Sequence, residues 1–297
     1  MEKRKVFSRI GWGLLLIFVM GQLVVLAMTK INPLLIEQTE AILAATNVGM
    51  YVIAFPLVLW WLRKAPRIEA EEKRKIETGK LIKLYFIAAG VANLINIVYG
   101  IISVQLTGEH GNVVGMAIEE MSLIPLAILL VGVAPIMEEV VFRKMLYTLL
   151  AVYGKKVFIV VSAIVFALFH MNLGQALYAF WLGLILAWVY AETRQVKYCI
   201  ILHMVINFMG GLAPVMLWES KTGEAVLVGI VMFTIVLGLS MFIVMIRKQR
   251  KSENSLVSDE VAQPIKIGSV FQNAGMIVYS AISIIMMVVT QILMNNM

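Results

Sequence analysis

Three short patterns carry the residue types that can do chemistry, and all three stand in apolar sequence. The first is EEVVFR, Glu138 to Arg143, within an apolar run that starts at Leu123. The second is FALFH, Phe166 to His170, and the third is HMVIN, His203 to Asn207. A charged group at the bilayer centre costs about 2.5–3.5 kcal/mol on insertion scales, so two carboxylates and a guanidinium together need a reason. On a helix Glu139 and Arg143 are i,i+4 neighbours and can pair. Glu138 points about 100° away and is left less neutralised. Phe166 and His170 share one helical face, as do His203 and Asn207.

A carboxylate in such surroundings suits a general base that activates water, and a nearby imidazole can share the proton. A second histidine and an amide can donate hydrogen bonds to a developing oxyanion. Glu138, His170, His203 and Asn207 therefore make a water-activating peptidase set. Glu138, His170 and His203 could equally hold zinc. The H-E-x-x-H spacing of the common zinc peptidases is missing, so no metal is assigned and none is preferred as cofactor. An ion-coupled transporter would use a similar set as a relay. The chain has no internal repeat to support that alternative.

These motifs need spans to carry them. The 297 residues are 61% hydrophobic and 14% charged, with mean hydropathy +0.90. That composition describes an all-α, polytopic transmembrane bundle of about eight to nine spans. The apolar runs fall at about 7–29, 42–62, 84–106, 123–153, 157–171 (short, ending in His170), 173–191, 198–218, 225–246 and 274–294. The first run follows Lys3, Arg4 and Lys5, is over about 20 residues long and lacks a small-residue cleavage site, so it reads as a retained span. The EAEEKRKIE stretch, 69–77, is rich in strong helix formers and is expected to form a surface helix. A flexible linker is expected over 247–273. Three blocks follow: 1–122, N-terminal spans with a basic loop; 123–212, the motif-bearing core; and 213–297, the C-terminal spans.

The net charge of +7 sits in membrane-flanking loops, so it reads as orientation and lipid contact and not as nucleic-acid binding. With the N-terminus in the cytoplasm, every Lys and Arg except Lys30 and Lys221 falls on or near the cytoplasmic side. The expected location is a cell inner (plasma) membrane. At 1.5 Å per residue, Glu138 and His170 each lie roughly 20 Å from the cytoplasmic end of their spans, and His203 and Asn207 roughly 8–14 Å. One pocket in the cytoplasmic half of the membrane could hold all four. Pro135, just before the glutamates, frees a backbone carbonyl and kinks the helix. His110 and the Glu119–Glu120 pair read as loop and helix-start residues. Asn47, Asn93 and Asn96 read as interhelical hydrogen-bonding groups. The single Cys199 rules out an internal disulfide.

EEVVFR, FALFH and HMVIN resemble, in order, the EExxxR, FxxxH and HxxxN/D motifs of the CPBP intramembrane protease family. That family includes type II CAAX prenyl endopeptidases and Abi-like, bacteriocin-processing or self-immunity proteins. The resemblance covers about 123–212. It implies that Glu138 and His170 activate water and that His203 and Asn207 stabilise the oxyanion. Glu139 and Arg143 would order the site, and Phe166 would pack against it. The implied partners are a peptide or protein substrate at the membrane and the bilayer itself. A catalytically silent relative acting in immunity or as a scaffold is the alternative within the family.

Overall fold

The computed structural model describes residues 3–65, 72–107, 121–218, 220–252 and 265–294. His110, the Glu119–Glu120 pair and residues 253–264 of the expected linker lie outside them. The flexible linker expected over 247–273 is corrected where it is described, since 247–252 continue a helix and Ile267–Phe271 form a 3-10 turn whose Val270 is fully buried in the core. Nine apolar helices, and no strand, occur among the described residues: α1 (Lys3–Ile31), α2 (Thr39–Lys64), α3 (Thr78–Thr107), α4 (Leu123–Tyr153), α5 (Lys155–Phe169), α6 (Leu173–Thr193), α7 (Val196–Leu217), α8 (Lys221–Ser252) and α9 (Ala274–Met294). Eight of them are long and apolar enough to cross a membrane, α9 included. The exception is α5. Its 15 residues rise about 22 Å, short of the roughly 30 Å hydrocarbon core.

The antiparallel hairpin of α5 and α6 is the best-packed pair. α3 and α7 flank α6, α8 packs on α3, and α1 lies between α2 and α9. α4 closes on α5, α6 and α7, so every motif-bearing helix meets α4. Close approach of backbones needs small residues, as is usual between membrane helices. A side chain at Gly238 would meet the Phe86 carbonyl of α3, and one at Gly275 would meet the Ser8 carbonyl of α1. Asn93 of α3 donates to Thr234 of α8 at 2.9 Å, the interhelical role expected of it, whereas Asn47 donates to Leu43 of its own helix. Large apolar side chains such as Val52, Ile101, Ile128, Phe233 and Ile285 face outward, as lipid contact requires.

Three spans contain a widened, π-helical turn two residues before a proline. These are Val48–Ala54 before Pro56, Ala127–Val133 before Pro135, and Phe208–Leu212 before Pro214. In each, the last donor bonds five residues back: Phe55 to Met50, Ala134 to Leu129, Ala213 to Phe208. The next donor in that register would be the proline, which has none. The carbonyls of Tyr51, Leu130 and Met209 thereby lose their main-chain partner. π-turns of this kind concentrate at functional sites. The latter two bracket the motif residues of α4 and α7.

The basic ends carry aromatic partners. Arg63 stacks over Trp60, Lys80 over Trp188 and Arg194 over Tyr147, each within 5 Å of the ring centroid. By topology all three pairs lie at one end of the bundle, as an aromatic and basic interface belt does.

The surface helix expected over 69–77 is corrected by the structure where it is described. Residues 72–77 form no helix, and the helix begins at Thr78. The Arg74 N–H donates to the Thr193 carbonyl at 2.9 Å, and the Gln195 side chain donates back to the Arg74 carbonyl at 2.6 Å. Ile76 packs onto the core. Tertiary bonds to the turn between α6 and α7 override helix propensity here, which is worth only tenths of a kcal/mol per residue.

Candidate active site

Glu138 and Glu139 sit midway along α4, immediately after Pro135 and its widened turn. Glu139 and Arg143 are fully buried, and Arg143 Nε approaches Glu139 Oε2 at 2.9 Å. The contact is ionic, since its geometry is too bent for a hydrogen bond. Arg143 is fixed from two other sides. One terminal nitrogen donates to Ser162 Oγ at 2.8 Å, and the guanidinium lies 4.6 Å from the Phe166 ring centroid. Ser162 in turn donates to the Phe142 carbonyl at 2.7 Å. The expected i,i+4 pair is therefore present, and its anchor on α5 is a serine that sequence reasoning did not single out. Ser162 lies four residues before Phe166 and eight before His170, on the same face of α5, which is the signal that could have found it.

His203 of α7 comes to the same carboxylates. Its Nδ1 lies 2.9 Å from Glu139 Oε1, and its Nε2 lies 3.8 Å from Glu138 Oε2. Nδ1 therefore carries a proton and donates to Glu139, which leaves Nε2 directed at Glu138. Glu139 is thus held twice, by Arg143 and by His203. Glu138 has no close ion pair, and 15% of its side chain remains accessible. The asymmetry between the two carboxylates is sharper than the helical angle alone implies.

His170 caps the short α5. The turn that follows places Met171 at φ 49°, a left-handed conformation that closes helix ends. Asn172 then opens α6 by accepting from the Gln175 N–H at 2.9 Å. The His170 Nδ1 proton is given to the Phe166 carbonyl at 2.8 Å, so Nε2 is the nitrogen free to accept a proton. Phe166 stands edge-on to both histidines, with centroids 4.8 Å from His170 and 5.9 Å from His203. One ring therefore spaces His170, His203 and Arg143.

Asn207 donates to the Leu130 carbonyl at 2.9 Å. That is the carbonyl Pro135 leaves without a main-chain donor. Asn207 satisfies it from α7 and keeps its second amide N–H. Asn207→Ala removes the donor and strands a half-buried carbonyl in the membrane, at a cost of about 1–3 kcal/mol. Thermal unfolding in detergent should show the loss, and Asn207→Asp, which cannot donate when ionised, should show it too. An unshifted Asn207→Ala transition would deny the link between the two helices.

Among the described residues no three His, Cys, Asp or Glu side chains converge as a metal-ligand set. His170 and His203 each commit Nδ1 to another group, which leaves both Nε2 atoms open, and Arg143 brings a positive charge alongside. No step is derived through a metal. What it offers is a free carboxylate, a histidine with an open nitrogen, a second histidine held by a carboxylate, and an amide.

Residues 120–209 match the family model described as type II CAAX prenyl endopeptidase Rce1-like. The motif-bearing core is a CPBP-family core. Over 171 residues the chain is also 26% identical to the protein named Putative membrane peptidase YdiL of Bacillus subtilis (strain 168). That alignment covers 54% of this chain and 68% of the relative. No solved structure matches the chain. At the family level the CPBP core is that of a CAAX-type intramembrane protease, a hydrolase embedded in the bilayer. The matched segment contains all three motifs and leaves α1 to α3, α8 and α9 outside it.

Proposed function

We propose that the chain is an intramembrane endopeptidase in which Glu138 and His170 activate water and His203 and Asn207 stabilise the oxyanion. The observation that carries this reading is the contrast between the two glutamates. Glu139 is locked by Arg143 and His203, while Glu138 is left with room beside it and His203 Nε2 at 3.8 Å. In this reading a water beside Glu138 gives up a proton as its oxygen attacks the scissile carbonyl. Glu138 takes the proton, with His170 Nε2 available to share it. The tetrahedral oxyanion accepts from the remaining Asn207 N–H and from His203 Nε2, which donates when the imidazole is doubly protonated. As the carbon–nitrogen bond breaks, the stored proton passes to the leaving amine.

The core at 123–212 acts in this reading as the catalytic unit, and the flanking spans shape access. The basic and aromatic end of the bundle supports a cytoplasmic N-terminus in a plasma membrane. The site would then open toward the cytoplasm and take a peptide or protein held at the membrane. The test is cleavage of a quenched peptide library, prenylated and unprenylated, by purified protein in detergent, with and without chelator. Cleavage insensitive to chelator is the expected result. Loss on chelation with rescue by zinc would reassign Glu138 and the histidines as ligands, and no cleavage at all would overturn the proposal.

A further inference from the structure

His170 stands where the short α5 ends, a poor place to fix a side chain. The last carbonyls of a helix lack intrahelical donors, and hydrocarbon offers them no water. Here the chain tightens as it leaves the helix. The His170 and Met171 N–H groups donate three residues back, to Ala167 at 3.3 Å and to Leu168 at 3.2 Å. Met171 sits at φ 49° with its side chain buried. A bulky residue keeps that conformation only where its surroundings over-determine it. The motif-bearing core supplies the Asn172 cap of α6. Further contacts come from α3 and α9, both outside the segment that matches the family.

α9 follows α5 and continues past its end. The buried Tyr279 hydroxyl donates to the Val165 carbonyl of α5 at 2.7 Å. Further along, Met287 packs against both Ala167 of α5 and Ala176 of α6, and so spans the turn. The Thr290 hydroxyl then donates to the carbonyl of Met171, the residue next to His170, at 3.5 Å. Its neighbour Gln291 accepts from the Tyr99 hydroxyl of α3 at 2.8 Å. The Tyr99 ring lies against Gly174, the second residue of α6, where a Cβ would meet ring carbon Cε1 at 2.6 Å. Polar side chains often join membrane helices. What distinguishes these is where they fall. Thr290 and Tyr99 meet the chain at Met171 and Gly174, the two ends of the turn after His170, and the Tyr99–Gln291 bond ties the two braces together.

We propose that Tyr99 and Thr290 are positioning residues for His170, clamping from α3 and α9 the turn that fixes its place. The effect on rate rests on the peptidase reading, but the clamp itself can be measured without activity. Tyr99→Phe keeps the ring on Gly174 and removes its bond to Gln291. Thr290→Val keeps the shape and removes the hydroxyl, whereas Thr290→Ser keeps the hydroxyl. A misplacement of about 1 Å can cost about 10²-fold in rate. The double variant Tyr99→Phe, Thr290→Val is expected to lower kcat on the order of tenfold with KM unchanged, the pattern of an arrangement needed only in the transition state. Thr290→Ser should turn over as the wild type does. The companion measurement is amide hydrogen exchange in detergent, read by mass spectrometry over residues 168–176. Exchange there should speed up roughly fivefold in the double variant, about what one hydrogen bond is worth, and residues 200–207 should not change. Faster exchange confined to the turn, with a slower kcat and an active Thr290→Ser, establishes the role. Unchanged exchange at the turn overturns it whatever the rate. Faster exchange with a wild-type kcat also overturns it, because the reaction would not depend on the turn. So does exchange that rises over 200–207 as well, the mark of general loosening, or a Thr290→Ser as slow as the double variant. If the wild type cleaves nothing, the peptidase reading fails and with it the effect on rate, while exchange still decides whether α3 and α9 hold the turn.

Discussion

Arg143→Ala is expected to cost about 3–5 kcal/mol of stability, because it leaves the Glu139 carboxylate buried without its cation. Whole-protein stabilities are about 5–15 kcal/mol, so a loss of this size removes much of the folded protein. Three attachments disappear together: the ionic contact with Glu139, the bond to Ser162, and the stack on Phe166. His203 still donates to Glu139 Oε1, which places the expected cost toward the lower end. Arg143→Lys keeps the charge but not the planar fork that reaches Ser162 while lying on the ring, so it should fall between wild type and alanine. Adding Glu139→Gln to Arg143→Ala removes the stranded charge and should restore part of the loss. The measurement is the yield of monodisperse protein in detergent and its Tm. Arg143→Ala melting with the wild type would show that the pair contributes nothing to the fold.

The ion pair was legible in the sequence because its spacing is local. An i,i+4 carboxylate and guanidinium in an apolar run have few other ways to be satisfied. The three motifs were legible for a related reason: polar residues in membrane spans are costly, so each one marks a place where helices meet. Pro135 likewise announced a freed carbonyl. What the sequence did not carry was the partner across space. That Asn207 is the group that answers Leu130, and that Ser162 anchors Arg143, depends on how α4, α5 and α7 dock. Serine and asparagine in a span have several neighbours that could serve. The stretch over 72–77 failed in the opposite direction. Its Glu, Lys and Arg residues favour a helix locally, but two hydrogen bonds tie it to the turn between α6 and α7, and it forms no helix.

Glu138→Gln should separate activity from folding as sharply as Arg143→Ala joins them. The amide keeps the shape of the side chain and removes its capacity to take a proton. General acid–base groups contribute about 10²–10⁴-fold, so peptide cleavage should fall by about a thousandfold or to background. The fold should not suffer. Glu138 has no arginine within ion-pair distance, and its nearest charged neighbour in sequence, Glu139, repels it. Removing that repulsion should leave Tm at or above the wild-type value, the usual sign of a site whose charge serves reaction at some expense of stability. His203→Ala should lose cleavage as well, but with a lower Tm, since it takes a hydrogen bond from buried Glu139. The three variants thus differ in sign: Arg143→Ala loses protein, Glu138→Gln loses only rate, and His203→Ala loses both. Full cleavage by Glu138→Gln would move the base to another group. A large drop in its Tm would mean instead that Glu138 is held as tightly as Glu139, and that the asymmetry on which the proposed chemistry stands is absent.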